Sequence, residues 1–489
     1  MVEMSRRSLL TSTGLIATAL GLGACDTSPG GGGGKSTGKL RWWDHFNPLQ
    51  DLHKEVFASY TKDGGLPVEY TNHQTAEMGK ALQLARQSKQ LPDIHSNVGL
   101  KLPLPALIED GWYQPIELDD ETLGRLPKDV FVEGVTSHDG KPYSFPLFNF
   151  RQYWSATWFN KDLVTKAGLD PENPPATYDE FRAACRAVKR KGGDGVYGYI
   201  NGLGQPPRVA EQVHFLAQAA GFEGTGGNVG GGREFKTGEY HLHHEAYLNV
   251  LEFLLSLKKD KLLVPGTASM NDKIARARWA SGIAGFYLDG PWCAGVVSQD
   301  LKQFTDKMGV GPMLVPESGM PVTAYRGPQQ GAFYISGQSK QAKAANKLLK
   351  YLTEPEYYVG LAENMDQPPL DLTVLDRAKV HPAYKKVVGL FQDAVFLAPA
   401  PTRKNPEVSK AEGQAKAVDP EFGALVGGMF SGDVTDVRKA LTELSDKHNA
   451  EHERAAKAAT TAGATVSLDD YVFPDWEPRT DYTADKYPK

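Results

Sequence analysis

The chain has 489 residues, of which 40% are hydrophobic and 23% are charged, and its formal net charge is −5. This length allows two or three domains around a large buried core, so folding does not depend on disulfide staples. A negative net charge argues against a nucleic-acid partner, because binding to phosphates normally requires a basic face. The composition therefore predicts a globular protein that binds no nucleic acid.

The N-terminus has the pattern of a bacterial export signal. Arg6 and Arg7 precede a short apolar stretch that closes on the sequence LGAC at residues 22–25. This ending resembles a bacterial lipobox, in which the cysteine is lipidated and becomes the first residue of the mature protein. We predict a signal peptide over residues 1–24 and lipidation of Cys25, which would hold the protein at the extracellular face of the cell membrane. The twin-arginine and the general export routes both stay open.

Residues 25–37 are glycine-rich and are predicted to form a flexible tether. The segment looks at first like a phosphate-binding loop, but Pro29 stands at the first glycine position and no strand precedes it. For the other two cysteines, Cys185 and Cys293, buried thiols are favoured over a disulfide.

From Gly38 onward, short apolar strands alternate with amphipathic helices, a pattern typical of α/β layers around mostly parallel sheets. The first such unit has strands predicted at 39–43, 67–71 and 92–96, with helices at 49–61 and 75–88. A second unit begins near residue 153, with predicted helices at 178–191 and 245–258 and strands at 196–200 and 283–288. We predict an α/β fold with two such units.

Several motifs occur in a fixed order along the chain. They are LPDI at 91–94, WFNKDL at 158–163, KAGLD at 166–170, PATYDEF at 175–181, WASGIAGFYLDGPW at 279–292 and GDVTDVRKAL at 432–441. Each fragment alone is weak. Together, behind the lipobox and the tether, they resemble the family 1 extracellular solute-binding proteins, which are the sugar-capturing lipoproteins of bacterial ABC importers.

This resemblance implies a type II periplasmic-binding-protein fold, in which two lobes of mostly parallel sheet and flanking helices are joined by hinge crossings. Lobe 1 is expected over 38–148 plus 316–365, lobe 2 over 149–315 plus 366–465, and a C-terminal tail over 466–489. It also implies a monomer with no cofactor and no catalytic activity, whose partners are a carbohydrate and the importer's permease subunits. A di- or oligosaccharide is favoured. The alternatives are a non-sugar ligand such as a glycerophosphodiester, or a carbohydrate-active enzyme.

A sugar site combines aromatic rings, which stack on C–H faces, with planar polar groups that bind hydroxyls. In open α/β sheets, ligands bind beyond the carboxyl ends of the strands. The ligand-binding candidates are the residues of these types at predicted strand ends and crossings: Asp44, His45, Ser96, Asn97, Asn149, Arg151, Trp154, Trp292, Arg326 and Gln330.

The sequence Asp289-Gly290-Pro291-Trp292 ends a predicted buried strand. Gly and Pro at this point predict a tight turn into the next helix. We assign Asp289, Gly290 and Pro291 to the turn, and Trp292 to stacking on a sugar face. A purely structural turn remains the alternative for the whole motif.

Residues 240–245, YHLHHE, are the strongest candidate for metal ligands. Alternation in an extended segment would place His241 and His243 on one face. Neither a third ligand at typical spacing nor a thiolate accompanies them, so no metal site is predicted.

Overall fold

The computed structural model describes residues 38–127, 130–227 and 230–487. The predicted signal peptide, Cys25 and the tether lie outside these residues. Cys185 and Cys293 are both buried free thiols. Within the described stretches, no helix has the length and the apolar character needed to cross a membrane.

The strands are short and are spread along the whole described chain. In order they are β1 Leu40–Asp44, β2 Val68–Asn72, β3 Ile94–His95, β4 Tyr113–Gln114, β5 Ser137–His138, β6 Lys141–Pro142, β7 Ala156–Asn160, β8 Tyr197–Ile200, β9 Ala284–Asp289, β10 Met308–Gly311, β11 Ala324–Arg326, β12 Tyr334–Ser336 and β13 Val395–Leu397.

Helices occupy most of the sequence between these strands. They are α1 Gln50–Lys62, α2 Thr75–Gln87, α3 Leu104–Glu109, α4 Asp120–Gly124, α5 Lys161–Lys166, α6 Tyr178–Lys191, α7 Pro206–Ala219, α8 Glu245–Lys259, α9 Asp272–Arg278, α10 Cys293–Asp300, α11 Ala342–Tyr351, α12 Pro355–Glu363, α13 Pro382–Ala394, α14 Pro401–Lys404, α15 Val408–Gln414, α16 Phe422–Ser431 and α17 Val437–Thr461.

Two larger sheets organise the fold. The first has the strand order β2-β1-β3-β12-β4 and the second the order β10-β7-β9-β8. In the second sheet, every residue of β7 and β9 is buried, as expected for central strands covered on both faces. Each sheet packs into its own hydrophobic cluster, around Trp42 in the first and Trp158 in the second. The predicted α/β class is confirmed.

The sheets are mixed, however, where mostly parallel sheets were expected. β1 runs parallel to β2 and β3, but β12 is antiparallel to β3 and β4. In the second sheet β8 and β9 are parallel, whereas β7 is antiparallel to both β9 and β10. β7 is the first strand after the chain crosses to the second sheet, and β12 is the first strand after it crosses back to the first sheet. Each of these two strands runs antiparallel to the strands beside it.

Three segments connect the two sheets and are hydrogen-bonded to one another. Phe145 N donates to Phe333 O at 2.8 Å, and Leu370 N donates to Leu147 O at 2.8 Å. The segments after β6, after β11 and after α12 therefore lie side by side. Because hinges need only a few residues that absorb backbone rotation, this bundle has the character of a hinge between two lobes.

The segment before β12 belongs to the second sheet's side of the molecule. β11 pairs in parallel with β13, and both Ala324 and Val395 are buried in the cluster of the second sheet. Lobe 1 is expected to resume at residue 316, whereas residues 324–326 still pair with β13 on the side of the second sheet. A pairing between residues about 70 positions apart leaves no local signal in the sequence.

Candidate functional site

The end of β9 is organised by a single buried carboxylate, that of Asp289. Its side chain is 1% exposed, and Oδ2 accepts from Arg276 Nε at 2.9 Å and from Arg276 Nη2 at 2.7 Å. Oδ1 accepts from the backbone N–H of Gly290 and from Trp292 Nε1, both at 2.9 Å. Asp289 thus neutralises a buried guanidinium and fixes the indole ring that follows the strand.

Gly290 allows the Trp292 ring to fold back against the corner. A Cβ atom at this position would lie 2.3 Å from Cζ2 of Trp292, which is far inside van der Waals contact. Pro291 follows and fixes φ just before α10. The sequence DGPW therefore places a half-buried indole ring at the carboxyl end of a fully buried strand.

Trp292 forms an aromatic cluster with Trp154, which comes from the segment entering β7. The two ring centroids are 5.6 Å apart and both rings are half-buried. The Arg208 guanidinium carbon lies 4.4 Å from the Trp292 centroid, and that of Arg326 lies 5.1 Å from the Trp154 centroid. Cation–π contacts of this kind hold the guanidinium planes against the rings.

Arg208 and Glu211 lie one turn apart near the start of α7 and keep their hydrogen-bonding groups unused. Among the described residues Arg208 has only one ionic contact, with Asp272 Oδ2 at 3.7 Å, although its side chain is just 12% exposed. Glu211 is half-buried and makes no hydrogen bond or ion pair within the described part of the chain. Apart from the Nη2 group that faces Asp272, the N–H donors of Arg208 and the carboxyl group of Glu211 are thus available beside the two indole rings.

The charged groups of this cluster affect one another's pKa values. Burial raises the pKa of Glu211 to about 7, against the opposing effect of the positive charges of Arg208 and Arg326. Burial also lowers the pKa of Arg326 to about 10, and the negative charge of Glu211 opposes that change. A carboxyl group that is partly protonated at neutral pH can both donate and accept hydrogen bonds.

On the first lobe, Asp44 at the end of β1 is fully buried and fully engaged. Its oxygens accept from Trp42 Nε1 at 2.9 Å, from Asn72 Nδ2 at 2.8 Å and from Tyr70 Oη at 3.1 Å, and His53 Nδ1 lies 2.8 Å away. Burial alone would raise its pKa, but the charge of His53 and these hydrogen bonds hold the pKa below its usual value. The carboxylate therefore braces the strand end and has no free oxygen for a ligand.

His45 and Ser96, which follow β1 and β3, are hydrogen-bonded to each other through Nδ1 and Oγ at 2.9 Å. Burial lowers the pKa of His45 to about 4, the charge of Asp44 opposes this, and the charge of Arg208 adds to it. Arg208 on the second lobe is therefore within electrostatic reach of His45 on the first. Asn97 is half-buried and lies beside the hydroxyl groups of Tyr113 and Tyr334.

The remaining predicted residues lie in or near the connecting segments. Asn149 Oδ1 accepts from the backbone N–H of Arg151 at 2.8 Å, and the Arg151 guanidinium is paired with Asp481 of the C-terminal tail at 2.5 Å. Gln330 is exposed on the segment after β11. The structure thus brings Trp154, Trp292 and Arg326 together and directs the Arg151 side chain to the tail.

Sequence reasoning missed three charged residues of this region: Arg208, Glu211 and Asp366. Asp366 is 4% exposed in the segment after α12, and its Oδ2 atom has no hydrogen-bond partner among the described residues. Burial raises the pKa of Asp366 to about 7, and the negative charge of Asp44 adds to this effect. For Arg208 and Glu211 a signal existed, because α7 follows directly after the carboxyl end of β8.

Comparison with known proteins gives consistent matches over most of the chain. The sequence profile described as "Bacterial extracellular solute-binding protein" matches residues 55–390. An sn-glycerol-3-phosphate-binding periplasmic protein of Brucella abortus is 22% identical over 461 residues, covering 90% of this chain and 98% of that protein. A binding protein of Brucella abortus is 24% identical over 261 residues, so the chain spans 57% of the length of that relative.

Solved structures match most of the chain. A solute-binding protein of an ABC transporter from Thermotoga lettingae, bound with α-D-tagatose, aligns with a TM-score of 0.65 at 19% identity and covers 85% of this chain and 100% of its own. A maltotriose-binding protein of Thermus thermophilus, bound with maltotriose, aligns with a TM-score of 0.61 at 20% identity and covers 84% of this chain and 99% of its own. The predicted two-lobe periplasmic-binding-protein fold is confirmed by these alignments.

Proposed function

Because the chain belongs to the bacterial extracellular solute-binding protein family, we propose that it captures a carbohydrate between its lobes and delivers it to the permease subunits of an ABC importer. A di- or oligosaccharide is the favoured ligand. The protein acts as a binding component without catalytic turnover, as a monomer, and reaches the extracellular face of the membrane through a signal peptide over residues 1–24 and lipid on Cys25.

The observation that carries this proposal is the unused hydrogen-bonding capacity of Arg208 and Glu211 beside Trp154 and Trp292. By contrast, the charged groups of Asp289 and Arg276 are engaged with each other. Buried or half-buried polar groups are normally hydrogen-bonded, so the donors and acceptors left over beside aromatic rings suit a ligand with many hydroxyls.

The proposed contact set combines predicted and newly found residues. It comprises Trp154, Trp292, Arg208, Glu211 and Arg326 on the second lobe and the hinge, and His45, Ser96 and Asn97 on the first lobe. Asp44 and Arg151 are left out, because protein donors and acceptors already occupy their charged groups. Asn149 and Gln330 remain candidates for the outer edge of the site.

Arg208 has a defined place in this proposal. Its guanidinium covers the Trp292 ring at 4.4 Å, so a sugar would meet the Arg208 N–H groups and the ring together. Arg208 would bind hydroxyls, while the indole rings would contact the apolar C–H faces.

An anionic ligand such as a glycerophosphodiester is the second candidate. Two guanidinium groups at one site favour it, as does the similarity to the sn-glycerol-3-phosphate-binding relative. The carboxyl group of Glu211 between these guanidiniums disfavours a second negative charge. We therefore rank the neutral sugar first.

The test is a titration of the mature protein, truncated after Cys25, with mono-, di- and oligosaccharides, glycerol-3-phosphate and a glycerophosphodiester. Tryptophan fluorescence reports binding, since two indole rings lie at the proposed site. Saturable binding of a sugar that is weakened in Arg208→Ala supports the proposal. Binding of the phosphate compounds alone would establish the second candidate. Turnover of a glycoside would establish an enzyme instead.

Anchoring is tested separately in cells. We expect a radiolabelled fatty acid to be incorporated into the wild-type protein and not into Cys25→Ala. Equal labelling of both proteins would contradict lipidation at Cys25.

A further inference from the structure

We propose that His241 and His243, in the turn before α8, form a binding site for a first-row transition-metal ion, with Cu²⁺ bound most tightly. The two imidazole centroids are 4.3 Å apart and both side chains are half-buried. Neither residue belongs to the contact set of the proposed sugar site. The site would hold the ion through the Nε2 atoms of both rings, with water in the remaining positions.

Hydrogen bonding fixes the tautomer of His241. Its Nδ1 atom lies 2.7 Å from Oε1 of Glu234. An ionised carboxylate can only accept, so Nδ1 carries the proton. In the neutral ring the lone pair is then on Nε2. A carboxylate behind the imidazole is also the usual outer partner of a metal-ligating histidine.

His243 is held in the same tautomer by a different route. Its Nδ1 atom lies 3.1 Å from Oγ of Ser445, a fully buried side chain on α17. The single Ser445 hydroxyl proton is donated to Leu441 O at 2.8 Å, and Oγ accepts from Leu242 N at 2.9 Å. The remaining Ser445 lone pair must accept from Nδ1–H of His243, which leaves the His243 lone pair on Nε2.

The neighbouring His244 provides an internal contrast. Its Nδ1 atom accepts the backbone N–H of Ala246 at 3.1 Å and caps α8, so its lone pair is already in use. Two adjacent rings therefore have free Nε2 lone pairs and the third does not.

The chemistry of the donor set selects the class of ion. Imidazole nitrogen suits Zn²⁺, Ni²⁺ and Cu²⁺, and affinity for a given nitrogen site rises to a maximum at Cu²⁺. Hard ions such as Mg²⁺ and Ca²⁺ prefer oxygen ligands and are not expected here.

A second cluster offers a competing set of ligand atoms. Glu133, His138 and Asp139 have potential ligand atoms within 4.8 Å of one another. Both Glu133 oxygens already accept hydrogen bonds from backbone N–H groups, at Asp139 and Gly140. A substitution of His138 in this cluster therefore serves as the control for a competing site.

The experiment titrates the full chain with Cu²⁺ and then with Zn²⁺ by calorimetry, and records the electron paramagnetic resonance spectrum of the Cu²⁺ complex. We expect one Cu²⁺ per chain with two coordinated imidazole nitrogens. His241→Gln and His243→Gln should each weaken binding at least tenfold and reduce the nitrogen count, whereas His138→Gln should not change either. Glu234→Gln should weaken binding about tenfold through the loss of the negative charge behind the His241 ring.

Circular dichroism and thermal unfolding of each variant show whether it remains folded. Undiminished Cu²⁺ binding in the folded double variant His241→Gln/His243→Gln would overturn the proposal, as would loss of binding in His138→Gln. Absence of stoichiometric Cu²⁺ binding to the wild-type chain would overturn it as well.

Discussion

Strands β1 and β9 both end in an aspartate that is hydrogen-bonded to a tryptophan, but this pair has a different role at each strand end. In each, a buried strand-end aspartate accepts the N–H of an indole at 2.9 Å: Trp42 on Asp44, and Trp292 on Asp289. Trp42 is fully buried in the core of the first lobe, whereas Trp292 is half-buried beside Arg208. The same hydrogen bond therefore stabilises packing at one strand end and orients a ring toward the proposed ligand at the other.

The two aspartates also differ in their cationic partners. Asp44 is paired with His53, and Asp289 is paired with Arg276. An arginine keeps its charge when its carboxylate partner is removed, because a guanidinium is not deprotonated in proteins. Loss of the carboxylate should therefore be more costly at Asp289 than at Asp44.

The largest effect is expected for Asp289→Ala. This change leaves the guanidinium of Arg276, which is 3% exposed, with only the more distant carboxylate of Asp272, at 3.4 Å. We expect a loss of about 3–5 kcal/mol in the free energy of unfolding, measured by urea denaturation. The double variant Asp289→Ala/Arg276→Met should recover at least half of this loss. A loss below about 1 kcal/mol in the single variant would contradict a stabilising role for the ion pair of Asp289 and Arg276.

Asp44→Asn should cost less, about 2 kcal/mol, because the amide oxygen can still accept hydrogen bonds from the donors around it. The pKa of Asp44 is lowered in the folded protein, so its ionised form contributes stability above the unfolded pKa. That contribution is lost as pH falls through the folded pKa. Urea midpoints at pH 7 and at lower pH should therefore converge for the wild type and the variant. A constant difference would show that the charge of Asp44 does not matter.

These strand ends were also the part of the site most accessible from sequence. Asp44, His45, Ser96, Asp289 and Trp292 could be placed at strand ends because a strand followed by polar or aromatic residues is a local pattern, although the structure leaves no oxygen of Asp44 free for a ligand. The α/β class followed in the same way from alternating periodicities. The antiparallel direction of β7 and β12 could not be predicted from sequence, because it depends on which sheet the preceding segment belongs to.

Residues whose roles depend on distant partners were not predictable. Arg151 looked available for a ligand, but it is paired with Asp481, 330 residues further along the chain. For Arg208 and Glu211, the position of α7 after the carboxyl end of β8 was a signal for a site, but the sequence does not show which face of this helix meets the aromatic pair. The raised pKa of Glu211 depends on burial by several segments, and no local pattern reports that.

Trp292→Ala separates the ligand role of the second strand end from its structural role. Removing the ring should weaken sugar binding about tenfold, or about 1.4 kcal/mol, measured by titration with the ligand identified in the panel. Trp292→Phe is the matched control, because it keeps an aromatic ring and loses only the N–H that bonds Asp289. The Phe variant should retain affinity within about threefold. Equal losses in both variants would mean that the hydrogen bond, and not the ring, is required.

The smallest effect concerns Glu211 and is seen as a dependence on pH. Its pKa is raised from 4.5 to about 7 in the folded protein, so the folded state binds a proton more tightly than the unfolded state does. The free energy of unfolding should therefore fall as pH rises from about 4.5 to about 7. Glu211→Gln removes this contribution, because the amide does not titrate.

We expect the stability of the wild type relative to Glu211→Gln to decrease by about 1 kcal/mol between pH 5 and pH 8, less than the full pKa difference would give, because solvent screens a half-buried group. Glu252→Gln on the exposed face of α8 is the matched control for the change from carboxylate to amide. Added sugar should reduce the slope if Glu211 contacts the ligand, since binding then fixes its protonation state. A slope that is the same with and without sugar would place Glu211 outside the contact set and leave Arg208 as the polar group of α7 that meets the ligand.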